Sequence, residues 1–300
     1  MSPNLKAHIS LFLAQVIYAL NYSIAKDLMP THIKPLGLVF MRIAGATILF
    51  WLLSFFTKPE KVETKDFKKL LLLAIFGVAV NQAFFIYGLS LTKPINSAII
   101  MVSNPIAVML FAIIVFKERL TVFKLSGLFL GVIGSLVLLL FKANGSFSIG
   151  SETITGDLMT LINSLSWAIF VVMVKPYMQK YQTVTVMKWI FLFGFIYIFP
   201  FGIQDLFSVS WSELPSSVIS AMAFVVVATT FLAYLLNTYA LKALSSEVVS
   251  MYIYLQPFLA ALVAIYLGKD QLTTLKLIAG ILIISGVYLA GKKPKDAKKL

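Results

Sequence analysis

The chain has 300 residues, 60% of them hydrophobic and 12% charged, against roughly 25% charged in ordinary soluble domains. That is the composition of a membrane protein. A net charge of +13 would suit a nucleic-acid partner, but the basic residues lie between apolar runs, which favours a membrane instead, and the absence of cysteine excludes disulfides, thiolate metal sites and catalytic thiols.

A helix needs about 20 mainly apolar residues to cross roughly 30 Å of hydrocarbon. Ten runs qualify, near 7–25, 36–56, 69–89, 95–116, 122–141, 156–174, 185–204, 216–240, 246–268 and 274–291. The first follows Lys6 as a signal peptide would. It holds Gln15 and Asn21, however, and no small-residue cleavage site follows, so it reads as a helix. Its Gln15, Tyr18 and Tyr22 recur at i, i+3 and i+7, with Asn21 one turn beyond Tyr18, and make one stripe.

Helix 2 places Arg42 about 9 Å into the membrane, at 1.5 Å per residue from its start. An unpaired guanidinium there is costly. Three readings follow: it binds a substrate carboxylate bidentately, it pairs with an acid or helix carbonyls, or it snorkels to the outer surface. Helix 3 presents Asn81 with Phe84, Phe85 and Gly88. Helix 4 carries Asn104-Pro105 near mid-span, where proline frees a carbonyl one turn earlier and the amide stands beside the break. Gly127, Gly131 and Gly134 of helix 5 read as a close-packing face.

The polar stretch KANGSFSIGSETIT, residues 142–155, reads as an outer linker. Beyond it, helix 6 aligns Asn163, Ser166, Trp167 and Phe170, and helix 8 aligns Thr230, Tyr234 and Asn237. Helix 9 repeats the break as Gln256-Pro257, and helix 10 carries Gly280 and Gly286. Polar groups in hydrocarbon cost free energy unless paired, so these stripes should face the bundle interior. They suit a cavity of amide and aromatic groups for a small, partly apolar solute; any one residue reads equally as an interhelical hydrogen bond worth about 0.6 kcal/mol. The paired proline breaks point to a midplane site or to packing kinks.

All twelve acids map to loops or helix ends. Asp157, at the outer start of helix 6, and Glu247, at the inner start of helix 9, are the two that read as coupling groups or as acids favoured by the helix dipole. His8 and His32 lie near membrane surfaces and far apart in sequence, which argues against a metal site. With no P-loop, no cofactor motif and no catalytic cluster, the chain reads as neither an ATP-driven pump nor an enzyme, and no prosthetic group is expected.

With the amino terminus inside, 18 Lys and Arg fall in cytoplasmic segments and six in outer ones, with Arg42 inside a helix. That bias sets both termini in the cytoplasm of what reads as a bacterial inner membrane, with residues 292–300 as a basic, lipid-attracted tail.

Shifting the sequence by 152 positions aligns residues 87–134 with 239–286 without a gap, and 13 of these 48 positions are identical. Apolar helices match Leu and Ile readily by chance, but not Pro105 with Pro257, Lys117 with Lys269, Lys124 with Lys276 and Gly134 with Gly286 in one register. At a shift of 149, Tyr18-Ala19 meets Trp167-Ala168, Lys26 meets Lys175 and Gly45 meets Gly194. The halves are therefore 1–141 and 156–291, five spans each, and an odd number inverts the second copy. Inverted repeats can exchange roles around a central site, as alternating access requires.

The stretch SNPIAVMLFAIIVFKERLTVFKLSGLFLGVIGSLVLLL and its second copy resemble the signature helix pair of EamA-type proteins in the drug/metabolite transporter superfamily. Tyr18-Ala19 with Lys26, Pro35 with Arg42, Pro105, and Glu118 with Leu120-Thr121 extend the resemblance over nearly the whole chain; Lys269-Asp270 stands where the family usually has Gly-Glu. The resemblance implies ten helices, both termini cytoplasmic, a central cavity, and export of amino acids or related metabolites. Carriage of a drug or sugar derivative coupled to protons, and a structural membrane subunit, are the other readings. Lipid and a small solute are the partners implied, with no nucleic acid and no stated oligomeric state.

Overall fold

Hydrocarbon offers no hydrogen bonds to the backbone, so each apolar run satisfies its own N–H and C=O groups by winding into a helix. The computed structural model describes residues 2–117, 121–143, 153–266 and 272–291. Glu118, Leu120, Lys269, Asp270, most of the 142–155 linker and the 292–300 tail lie outside the described residues.

Among the described residues ten helices are long and apolar enough to span a membrane: α1 (Pro3–Leu28), α2 (Pro35–Ser54), α3 (Thr64–Leu91), α4 (Asn96–Phe116), α5 (Val122–Leu140), α6 (Ile154–Lys180), α7 (Thr183–Phe207), α8 (Ser216–Ala240), α9 (Ser246–Val263) and α10 (Thr274–Gly291). Among the described residues there is no strand. Local chemistry sets the ends: the Ser2 side chain accepts from Leu5 N ahead of Pro3, and Pro35 opens α2 behind an extended Lys34. The helix α3 starts five residues earlier than hydropathy suggests and α6 ends six later, because charged Thr64–Lys69 and Lys175–Lys180 continue the helix past the apolar stretch.

The packing repeats when the halves are exchanged. The helix α2 lies along α7 and α5 along α10; α3 packs on α6 as α8 packs on α1, and α4 meets α6 as α9 meets α1. Small residues allow these approaches. A Cβ on Gly45 would press into Val226 and one on Gly194 into Val78, while a Cβ on Gly286 would stand 2.7 Å from the Gly127 carbonyl oxygen. Of the glycines read from sequence in α5 and α10, Gly127 and Gly286 meet each other and Gly134 abuts Ile283 of α10, while Gly131 and Gly280 make room for Tyr254 and Phe258 of α9. Large apolar side chains such as Ile114, Phe129 and Ile281 point outward, while amides and hydroxyls are buried inside, the arrangement a lipid solvent selects.

Two features interrupt the ladder in both halves. One is a π-helical stretch, Ile75–Ala79 within α3 and Val225–Leu232 within α8. The other is the proline break. In the first half the helix stops at Met101 and restarts at Asn104, so Pro105 falls in a first turn. In the second, a 3-10 turn at Tyr252–Tyr254 precedes Leu255, with Pro257 just beyond. The expectation that Asn104 and Gln256 attend to freed carbonyls beside the breaks is corrected. Asn104 Nδ2 donates to Ser164 O at 2.7 Å and Gln256 Nε2 to Gln15 Oε1 at 2.7 Å, each crossing to the other half. Ser164 and Gln15 stand 149 residues apart and Asn104 and Gln256 152 apart, so one bridge is the image of the other.

Candidate central cavity

A widened π-turn leaves carbonyls out of the regular i→i+4 ladder, and side chains collect them here. Tyr234 Oη lies 3.0 Å from Gly77 O and 2.8 Å from Asn81 Oδ1. Ser166 Oγ donates to Phe76 O at 2.6 Å, and the Thr229 and Thr230 hydroxyls donate to Val225 O at 2.6 and 2.8 Å. The two ladder defects therefore place polar side chains of α3, α6 and α8 at one level.

Between the halves lies a cavity of about 80 Å³. From the first half it is lined by Gln15, Tyr18 and Asn21 of α1, Arg42 of α2, Asn81, Gln82 and Phe85 of α3, and Met101 of α4. The second half contributes Asn163 and Trp167 of α6, Tyr234 and Asn237 of α8, and Val249, Ile253 and Gln256 of α9. Asn163 Nδ2 ties the walls across the seam by donating to Asn81 O at 2.7 Å, and within the second half Trp167 meets Tyr234 edge-on with centroids 5.3 Å apart.

Among the described lining residues Arg42 is the one charged side chain. Its Nε donates to Thr230 Oγ1 at 2.9 Å, the residue is 3% exposed, and Nη1 has no partner among the described residues. The snorkelling reading is corrected: the guanidinium is turned inward, held by the hydroxyl that caps the α8 π-segment. Its pairing with an acid is corrected too, since no described carboxylate reaches it.

Other expected residues stand behind the wall or away from it. Thr230 holds Arg42 and Asn104 bridges to α6, neither lining the cavity. Gly88 abuts α6, where a Cβ would lie 3.0 Å from Gly156 O, so it is packing. Phe170 lies against Gly77 and Trp167. The Tyr22 side chain lies outside the described residues. Phe85 lines the cavity as its place in the helix 3 stripe suggested, whereas Gln82, at i, i+3 from Phe85, was missed. Met101, Val249 and Ile253 carried none, because an apolar residue reads the same toward lipid and toward a cavity.

Neither acid lines the cavity, and both are buried and bonded. Asp157 Oδ1 accepts from Thr92 Oγ1 at 2.6 Å and Asp157 Oδ2 from Thr153 Oγ1 at 3.0 Å, with Asn96 Nδ2 at 3.4 Å from both oxygens. Glu247, 2% exposed, pairs with Lys124 at 2.9 Å.

A sequence pattern described as the EamA-like transporter family matches residues 5–140 and again 154–291. An uncharacterized transporter of Archaeoglobus fulgidus is 28% identical over 97% of this chain and 99% of its own length. A protein of Salmonella typhimurium described as a probable amino-acid metabolite efflux pump is 26% identical over 92% of each chain. A solved crystal structure superposes with a TM-score of 0.74 over 96% of each chain at 18% identity, a likeness of fold.

Proposed function

The chain belongs to the EamA-like transporter family, and from that premise we propose that it moves amino acids or related small metabolites across a bacterial inner membrane by alternating access. It is a multi-pass membrane transporter and not an enzyme. The observation that carries the finer reading is the cavity at the seam, walled by equivalent helices of two inverted halves. Exchange of the halves' packing would open it to one side and then the other. The amino-acid class rests on the efflux pump of Salmonella typhimurium and on a wall of amide and aromatic groups. The excess of Lys and Arg in the segments read as inner supports cytoplasmic termini, and the repeats are taken as 1–141 and 156–291, joined at 142–155, with 292–300 a basic tail.

Purified protein in vesicles preloaded with unlabelled amino acids should take up the labelled counterpart with no ion gradient. Trp167→Ala should lose that counterflow while still reaching the membrane, since it strips the largest aromatic from the wall. Wild-type rates in that variant would place the side chain in packing.

A second reading is a proton-coupled carrier of another solute class, favoured by the burial of Asp157 and Glu247 near the two ends of the bundle. Uphill uptake that follows an imposed pH gradient and vanishes in Glu247→Gln would establish it.

A further inference from the structure

Resting on the reading of this cavity as the solute site, we propose that its solute is recognised through a single carboxylate, bound by Arg42, and that no carried solute lacks that group.

The charge balance of the cavity leads there. Among its described lining residues there is one fixed positive charge and no negative one. A buried guanidinium has five N–H donors to satisfy, and a protein that needed it only for architecture would pair it with a carboxylate or several carbonyls. Arg42, a lining residue of the cavity, has one hydrogen bond among the described residues, from Nε to Thr230, which fixes the plane of the fork and leaves Nη1 buried without a partner. A carboxylate is the ligand whose two oxygens match that fork, and in a water-poor site the charge-assisted pair is strong. The unliganded protein therefore holds an uncompensated charge that its solute neutralises.

The rest of the lining bears on what else the solute carries. Asn21 Oδ1 and Asn163 Oδ1 are buried acceptors without partners, and Tyr18 and Trp167 share the lining with them. An ammonium group donates to amide oxygens and sits well over such rings. The cavity thus offers a cationic fork and neutral acceptors, which suits an α-amino acid and tolerates a plain carboxylate, while a bare amine meets Arg42 with like charge.

The test uses the full-length protein in nanodiscs and three matched probes built on each of several amino-acid skeletons: the amino acid, its deaminated carboxylic acid, and its decarboxylated amine. Binding is read by competition and by the shift in melting temperature. The expected order is amino acid, then acid, with the amine showing no binding, and Arg42→Gln should weaken the first two by about 10- to 100-fold. A second readout separates recognition from architecture. Unliganded Arg42→Gln should melt at or above the wild-type temperature, because it removes a buried unpaired charge, whereas a drop of several degrees would show a structural guanidinium and overturn the proposal. Amines binding as well as acids, or acids binding Arg42→Gln unchanged, would also overturn it while leaving the transporter reading intact. If no solute of any class binds or exchanges, both fail together.

Discussion

At the scale of single residues, the cavity depends on side chains that repair backbone defects. The Tyr234 hydroxyl reaches both the Gly77 carbonyl in the α3 π-segment and the Asn81 amide on the wall, while its ring lies edge-on to Trp167 and Phe191. Tyr234→Phe keeps the ring and removes the hydroxyl, whose single proton serves either the Gly77 carbonyl or the Asn81 amide oxygen, so one buried acceptor is left short of a donor. We expect a loss of about 1–3 kcal/mol, read as a lowered melting temperature of the purified protein, together with weaker solute binding as Asn81 loses its anchor. An unchanged melting temperature would mean that water takes over the bond. Most of the wall was legible in the sequence, because Gln15, Asn81, Asn163 and Asn237 are amides at helical spacing inside apolar runs, and hydrocarbon leaves such groups one direction to face. The direction of Arg42 was not legible. Its depth admits three solutions, and the deciding partner, Thr230, lies 188 residues away.

At the scale of elements, repeated small residues set how closely helices approach. The spans and proline breaks were readable because hydropathy and the missing N–H act locally; the π-segments were not, since Ile75–Ala79 and Val225–Leu232 are apolar runs like their neighbours and their widening depends on tertiary hydrogen bonds. The seam between α5 and α10 has Gly286 against the Gly127 carbonyl, so Gly286→Ala forces the helices apart and should cost about 1–3 kcal/mol. Gly291→Ala, whose Cβ would meet only His8 at 3.8 Å, is the control that should change little. Equal melting temperatures for the two variants would show that the seam yields.

The end of α6 is tied to the start of α3 by charge. Lys180 Nζ lies 2.6 Å from Glu63 and 2.7 Å from Asp66, and Tyr181 Oη donates to Asp66 at 2.8 Å. Hydrogen bonds from Lys180, then Lys65, hold the Glu63 carboxyl below its ordinary pKa. A carboxyl depressed in the folded state stabilises it above the unfolded pKa, and that contribution disappears as pH falls through the folded value. The melting temperature should therefore fall on acidification below the usual carboxylate range, and Lys180→Ala should flatten that dependence. An identical slope in the variant would remove the cluster from the account.

At the scale of the molecule, the two halves use one plan with different chemistry at the ends. The Asn104–Ser164 and Gln256–Gln15 bridges are images of each other at mid-depth. At the ends the likeness stops: Asp157 gathers hydroxyls and an amide, whereas His8, 149 residues earlier, bonds Tyr252 at 2.7 Å. A shared centre with unlike ends is what a carrier needs if its two closed faces are to differ in stability while sharing one site. Absence of native cysteine makes this testable at a single position. Ile253→Cys, on the cavity wall, can be exposed to an impermeant thiol reagent from either side of oriented vesicles, with and without amino acid. Alternating access predicts labelling from each side separately, with solute shifting the ratio between sides. Labelling from one side alone under every condition, or a solute-independent rate equal from both, would contradict the claim that the halves trade places around one cavity.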